Sequence, residues 1–380
     1  MTTIQHLRND EIHELLISLN KDEVTKTKHV MEKTFEDFSV GGERPRQPDP
    51  CSSNRPDGRR ILYRGFSSDR SVGAKIVVES PVGPDGVKNP LRGIVVLMDG
   101  LGVPKSIMDA EEATGYRTSM NAMVPFSWRK NVGQIVIFGT GMQALWHSRL
   151  IIQLKGFEVN RITYVSGSKS RALDIIATVS AENQARWEAP VSFDFLVTTA
   201  SSSGSDGGEN KEDNITTLLN TADCVFCTTP SKTPLFKANH IGQRLEADAS
   251  GKPLISAVGS WQAGMIELDP ELLGLVINSS DGYNPQSGAS RGALFVDDRD
   301  FAMESTGELV RSKCASSDVV ELGYIIAMLN GSVLSVDGDG GMERTRHIIS
   351  EGFVIYKSIG VSTTDLAMCD AIQNIRQKTM

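Results

Sequence analysis

The apolar positions change period on either side of Gly139. Ile135 to Phe138 is an unbroken apolar run, as expected of a strand buried on both faces. Beyond Gly139-Thr140-Gly141 the apolar residues Ala144, Leu145, Leu150, Ile151 and Leu154 recur at helical spacing. Strand, glycine turn and helix in this order form the context of a dinucleotide fingerprint. Gly139 permits the tight turn, Gly141 lets backbone approach a pyrophosphate, and Ala144 lets the helix pack close to the strand. The helix start, Met142 and Gln143, offers N–H groups and a positive dipole end to phosphates.

The pattern continues to about residue 322 as alternating strands and helices, which predicts a parallel, doubly wound sheet. The second strand, Arg161 to Val165, ends without the acidic residue that would hold the 2′-hydroxyl of NAD. Ser166, Ser168, Lys169 and Arg171 stand there instead, which suits the 2′-phosphate of NADP; NAD stays open, because the two cations also fit a solvated helix start. Ala222 to Thr229 and Leu254 to Ser260 read as further strands. Ligands gather beyond the carboxyl ends of such strands, so Thr228, Thr229, Ser231, Val258, Gly259 and Ser260 are candidates for the pocket. A polar, low-complexity stretch, about 200–214, reads as a surface insertion.

On the N-terminal side, residues 4–38 read as helical. A proline-rich turn from Gly41 to Cys51 follows, then strands over 61–63, 73–78 and 93–98. A helix is expected from Ile107 to Met123, carrying Arg117-Thr118. Lys75 interrupts an apolar strand, so it lies either on a solvated edge or in a cavity. Asp337-Gly-Asp-Gly-Gly341 looks like part of a calcium loop but lacks the remaining ligands, and a turn is expected.

Composition narrows the class. With 380 residues, 39% hydrophobic and 23% charged, the chain fits two globular domains. The 39 basic and 47 acidic residues give −8, which favours neither nucleic acid nor an anionic membrane as partner. No apolar run approaches the roughly 20 residues of a membrane span, and the start lacks a signal core, so a cytoplasmic location is expected. Five scattered cysteines suit reduced thiols. Cys224 and Cys227 sit on one strand facing opposite sides, which argues against a shared metal. Neither a zinc-hydrolase H-E-x-x-H nor a G-x-S-x-G elbow occurs, and no metal site is expected.

Taken together, the segments resemble the ornithine cyclodeaminase/mu-crystallin family over nearly the full length. The resemblance rests on Pro45-Arg46, Gly73-Ala-Lys75, Arg117-Thr118 and Gly139-Thr-Gly-Met-Gln-Ala144. Further on it includes Ala222-Asp223 to Ser231, Val258-Gly-Ser260 with Glu267-Leu-Asp269, and Tyr356-Lys-Ser-Ile-Gly360 with Asp365-Leu-Ala367. It implies a Rossmann nucleotide-binding domain, residues 127–322, inserted into an α+β substrate and dimerisation domain of residues 1–126 plus 323–380. It also implies a homodimer and a small amino or imino acid substrate. Arg46, Arg117 and Lys75 would gather on the substrate carboxylate, with Thr118 beside them and Lys75 in the catalytic role. Arg44 competes with Arg46 for the first place. Where the cyclodeaminases of this family have a catalytic aspartate, this chain has Ser260. That departure points to NAD(P)H-dependent reduction of a C=N bond, or the reverse amino-acid dehydrogenation. A cyclodeaminase-type lyase and a nucleotide-dependent binding protein are the alternatives.

Overall fold

The computed structural model describes residues 4–81, 83, 91–198, 209–246, 251–260, 262–279, 282–292 and 294–379. The chain forms two compact units, Met1–Met120 with Val361–Met380, and Asn121–Gly360.

The first unit is built on a six-stranded sheet. Its strands are β1 (Gln5–Leu7), β2 (Cys51–Asn54), β3 (Arg60–Ser67), β4 (Ser71–Glu79), β5 (Arg92–Asp99) and β6 (Pro104–Asp109). They lie in the order β1-β6-β5-β4-β3-β2, antiparallel except for β1 beside β6. Two sequence expectations change here. Gln5–Leu7 form a strand, and Asn20 splits the expected helix into Asn9–Ile17 and Lys21–Ser39 by capping the second through Glu23 N. Ile107 belongs to β6, and the helix starts only at Ala110; Pro104-Lys-Ser-Ile-Met alternates in burial, which is a strand's period of two.

β4 is a central strand, so Lys75 is not on an edge. Ser71, Lys75 and Val77 are buried on one face, against which the closing helix Ser362–Thr379 packs. Gly73 lies on that face because a Cβ there would stand 2.2 Å from Val96 O. The opposite face, with Tyr63, Ile76 and Ile94 in register across three strands, is half-exposed or exposed although apolar.

The second unit holds the doubly wound sheet. Its eight strands are β7 (Gln134–Phe138), β8 (Arg161–Ser166), β9 (Ser192–Val197), β10 (Cys224–Cys227), β11 (Leu254–Ala257), β12 (Leu294–Val296), β13 (Val319–Glu321) and β14 (Val354–Lys357). All neighbours pair in parallel, in the order β13-β12-β14-β11-β10-β7-β8-β9. The strand order reverses between β7 and β10, where open sheets of this kind bind ligands.

Residues 323–360 lie in this second unit, whereas the sequence expectation joined everything from 323 to the first. The reason is β14: all four of its residues are buried, and it pairs with β11 on one side and β12 on the other. Asp337 precedes the helix Gly338–Glu351, so the Asp-Gly run opens a helix as well as closing a turn. The expected insertion is described only from residue 209, within the helix Glu209–Thr221; 199–208 lie outside the described residues.

Candidate active site

In the first unit two cations converge on one carboxylate oxygen. Lys75 Nζ donates to Asp365 Oδ1 at 3.0 Å, and Arg117 Nε donates to the same atom at 2.7 Å. All three side chains are buried. Two buried polar atoms remain without a partner among the described residues, Arg117 Nη1 and Asp365 Oδ2. An unmatched guanidinium N–H in such a place costs energy unless an acceptor arrives.

The electrostatics follow from that geometry. Burial lowers the Lys75 ammonium, Asp365 pulls it back up, and Arg117 and Arg64 push it down again, which leaves it at about 8. Burial pushes the Asp365 carboxyl up, but Arg117, Lys75 and Arg64 outweigh it and hold it at about 2. One anion therefore faces two cations, leaving room for a second negative group.

Arg46 is not part of this cluster. It sits on the turn Arg44–Arg46, exposed, with Nη1 donating to Gly42 O at 3.0 Å and Glu43 Oε1 at 3.1 Å. Arg44 lies over the ring of Phe38. Pro45 folds this stretch into a tight turn, and Glu43 takes the nearer guanidinium. Thr118 is buried beside Arg117 on the same helix.

In the second unit the glycine turn is shaped as the sequence requires. Gly139 has φ +119°, and a Cβ there would stand 2.6 Å from Thr228 Oγ1 and 2.9 Å from Thr229 Oγ1. Gly141 is the N-cap of the helix Met142–Lys155, with no side-chain cap, and a Cβ on it would meet nothing within 4 Å. Ala144 is fully buried beneath. Thr140 and Gln143 are partly exposed, and Gly141 and Met142 open to the surface. A small backbone approach with space above it and a helix N-terminus behind it fits a pyrophosphate.

At the end of β8, Ser166 and Ser168 shape the turn. Ser166 Oγ accepts from Ser168 N at 3.1 Å, and the Ser168 side chain caps the helix Lys169–Glu182. Lys169 and Arg171 are exposed and make no ion pair among the described residues. Thr228 and Thr229 both donate their hydroxyls to Phe138 O, at 2.8 and 3.1 Å, tying β10 to β7 at the reversal. Ser231 donates to Thr233 O at 2.6 Å. Val258 N continues the sheet onto Cys227 O.

Ser260 is wholly buried, and its hydroxyl donates to Glu308 Oε1. Glu267 and Lys357, also wholly buried, share that neighbourhood.

Fold comparison agrees with this anatomy. The Thermococcus litoralis Delta(1)-pyrroline-2-carboxylate reductase, solved with NADH and L-proline, superposes with TM-score 0.71 over 99% of this chain and 98% of that one, at 14% identity. A probable ornithine cyclodeaminase from Bordetella pertussis gives TM-score 0.68 over 99% and 98%, at 18% identity. The chain has the fold of the ornithine cyclodeaminase/mu-crystallin family. The iminosuccinate reductase of Paracoccus denitrificans, solved with NAD+, shares it with TM-score 0.68 over 99% and 97%, at 17% identity. An uncharacterised Saccharomyces cerevisiae protein is 21% identical over 291 residues, 71% of this chain and 70% of that protein. No protein-family profile matches the sequence.

Within this fold, the functional reading of single residues in the sequence passed over Asp365, Glu267, Glu308 and Lys357. For three of them there was a signal: Glu267, Lys357 and Asp365 stand in the stretches that carry the resemblance, and Lys357 also closes an apolar strand, where a charge is buried only when paired. Glu308 carried none, because it is one acid among many until the fold buries it.

Proposed function

We propose that the protein reduces the C=N bond of a small imino acid with NADPH, or runs the reverse amino-acid dehydrogenation. The observation that carries this reading is the buried Lys75–Asp365–Arg117 cluster, with Arg117 Nη1 awaiting an acceptor. Solved proteins of the same fold that hold NADH with proline, or NAD+, support it.

The bound dinucleotide supplies the hydride. Gly139, Thr140, Gly141, Met142 and Gln143 would take its pyrophosphate. Ser166, Ser168, Lys169 and Arg171 would take the adenosine side, with the two exposed cations matching the 2′-phosphate of NADP. Thr228, Thr229, Ser231, Val258, Gly259 and Ser260 would line the other half. Arg117 holds the substrate carboxylate through its unmatched N–H, and Lys75 shares that charge. Lys75 Nζ then moves a proton to or from the substrate nitrogen, a role that its lowered pKa permits near neutral pH. Thr118 sits beside the anchoring arginine.

Ser260 speaks against the lyase reading. Its hydroxyl is spent on Glu308 and is buried, so it is not offered as a base. We also propose a homodimer, formed through the apolar sheet face of Tyr63, Ile76 and Ile94, and a cytoplasmic location, supported by five free thiols. No helix among the described residues is long and apolar enough to cross a membrane.

The test is a panel of cyclic ketimines, and of 2-oxo acids with amines, followed at the reduced-cofactor band. A reductase consumes the band in step with product. Ammonia release from ornithine or lysine with no net absorbance change would establish the lyase instead. Tight ligand binding without turnover would establish a binding protein.

A further inference from the structure

The parallel strands β10, β11 and β14 end in one buried network of charges. Glu267 accepts three backbone N–H bonds: Oε1 from Thr229 at 3.0 Å, and Oε2 from Gly259 at 2.6 Å and Ser260 at 3.0 Å. Its own N–H donates to Glu308 Oε1 at 2.8 Å, the oxygen that also accepts the Ser260 hydroxyl. Lys357 Nζ lies 3.5 Å from Glu267 Oε2 and 4.0 Å from Glu308 Oε1, and donates to Ala257 O at 3.3 Å. The fit leaves no slack: a Cβ on Gly259 would stand 2.5 Å from Glu267 Oε1.

Such a network is poor as a source of stability. Two carboxylates and one ammonium, all fully buried, cost several kcal/mol each in lost hydration, and packed apolar residues would serve the fold as well. What the network does uniquely is fix two loops. Glu267 bridges the turn after β10, through Thr229, and the turn after β11, through Gly259 and Ser260. In an open sheet the dinucleotide lies across the point where strand order reverses, here between β7 and β10. Lys169 and Arg171 stand at the end of β8, on the far side of that reversal from β10 and β11.

We infer, on the dinucleotide reading above, that Glu267 is a positioning residue for the nicotinamide half of the cofactor, with Lys357 beside its carboxylate and Glu308 holding its backbone N–H. Glu267 acts through the backbone of Thr229, Gly259 and Ser260, whose conformation sets the floor on which that half rests. The adenosine half depends on the other side of the sheet and is indifferent to it.

The experiment compares two ligands by calorimetric titration of the full chain: NADPH, and ADP-ribose 2′-phosphate, which lacks the nicotinamide. In Glu267→Gln, NADPH should bind about tenfold more weakly, while the truncated ligand should stay within about twofold. Glu267→Asp, which keeps the charge but shortens the reach to the three N–H groups, should show the same selectivity at about threefold. It carries the test alone if Glu267→Gln does not fold. Equal loss of both ligands, or no loss of either, overturns the positioning role. A wild-type protein that binds neither ligand and does not bind NADH overturns the dinucleotide reading itself, a result distinct from the other.

Discussion

Arg117 donates through Nε to Asp365 Oδ1 at 2.7 Å and leaves Nη1 buried without a partner. A guanidinium held by one edge, with an N–H unspent, is pre-aligned for a second anion. Removing Asp365 should therefore harm the fold before it harms chemistry. Asp365→Asn strands two buried cations, and a loss of about 3–5 kcal/mol is expected in urea denaturation, as when one partner of a buried pair is deleted. Lys75→Met in the same background should recover part of that loss, and no recovery would argue against coupling between the two residues.

Lys75 gives a pH signature. Its folded pKa, about 8, lies below the value of 10.5 for a free lysine, so folding disfavours its charged form. Below about 8 both states are protonated and the cost is fully present; between about 8 and 10.5 the unfolded chain binds more protons, and this residue's contribution to stability improves as pH rises. The stability of wild type relative to Lys75→Met should thus rise across that window. Reduction needs the protonated amine, so its rate should fall with an apparent pKa near 8 as pH rises, and the dehydrogenase direction should rise. A flat profile in both directions would remove Lys75 from the chemistry.

The two glycines of the turn should separate fold from ligand. Gly139→Ala meets a positive φ and the Thr228 hydroxyl, and should cost about 1–3 kcal/mol of stability. Gly141→Ala meets open space, so stability should change by no more than about 0.5 kcal/mol. Its NADPH affinity should nonetheless fall about tenfold or more, because the methyl occupies the approach to the pyrophosphate. Unchanged affinity in Gly141→Ala would move the nucleotide site elsewhere.

Cofactor choice should rest on exposed charge. Replacing both Lys169 and Arg171 by Ala should weaken NADPH about tenfold or more and leave NADH within about twofold, since each charge-assisted bond to a phosphate is worth about 1.5–3 kcal/mol. Equal affinities for both cofactors in wild type would return these residues to a solvated helix start.

The apolar sheet face can be tested by charge. Ile94→Asp and Tyr63→Asp lie on partly exposed surface and should leave the monomer folded. Sedimentation should then show a shift from dimer to monomer. A wild-type monomer at micromolar concentration would refute the dimer.

Much of the second unit was legible because its signals are local. An apolar run followed by Gly139, Gly141 and Ala144 has one economical fold, and the structure shows that strand, turn and helix at Gln134–Phe138 and Met142–Lys155. The N-terminal unit was harder to read. Strand β6 hid at the start of an expected helix because Ile107 and Met108 suit either period, and only pairing with β1 and β5 selects the strand.

From the sequence alone came the glycine turn, the cations beyond β8 and Lys75 and Arg117 as candidates for one site, because each depends on residues adjacent in the chain or on a resemblance. Tertiary structure alone decided that Lys75 lies on a central strand, that Asp365, 290 residues further along the chain, joins it to Arg117, and that Arg46 stays with its own turn. It also decided that Glu267, Glu308 and Lys357 form one network. The reason is physical: a charge's partner and its distance from water set its energy, and both are properties of the folded chain.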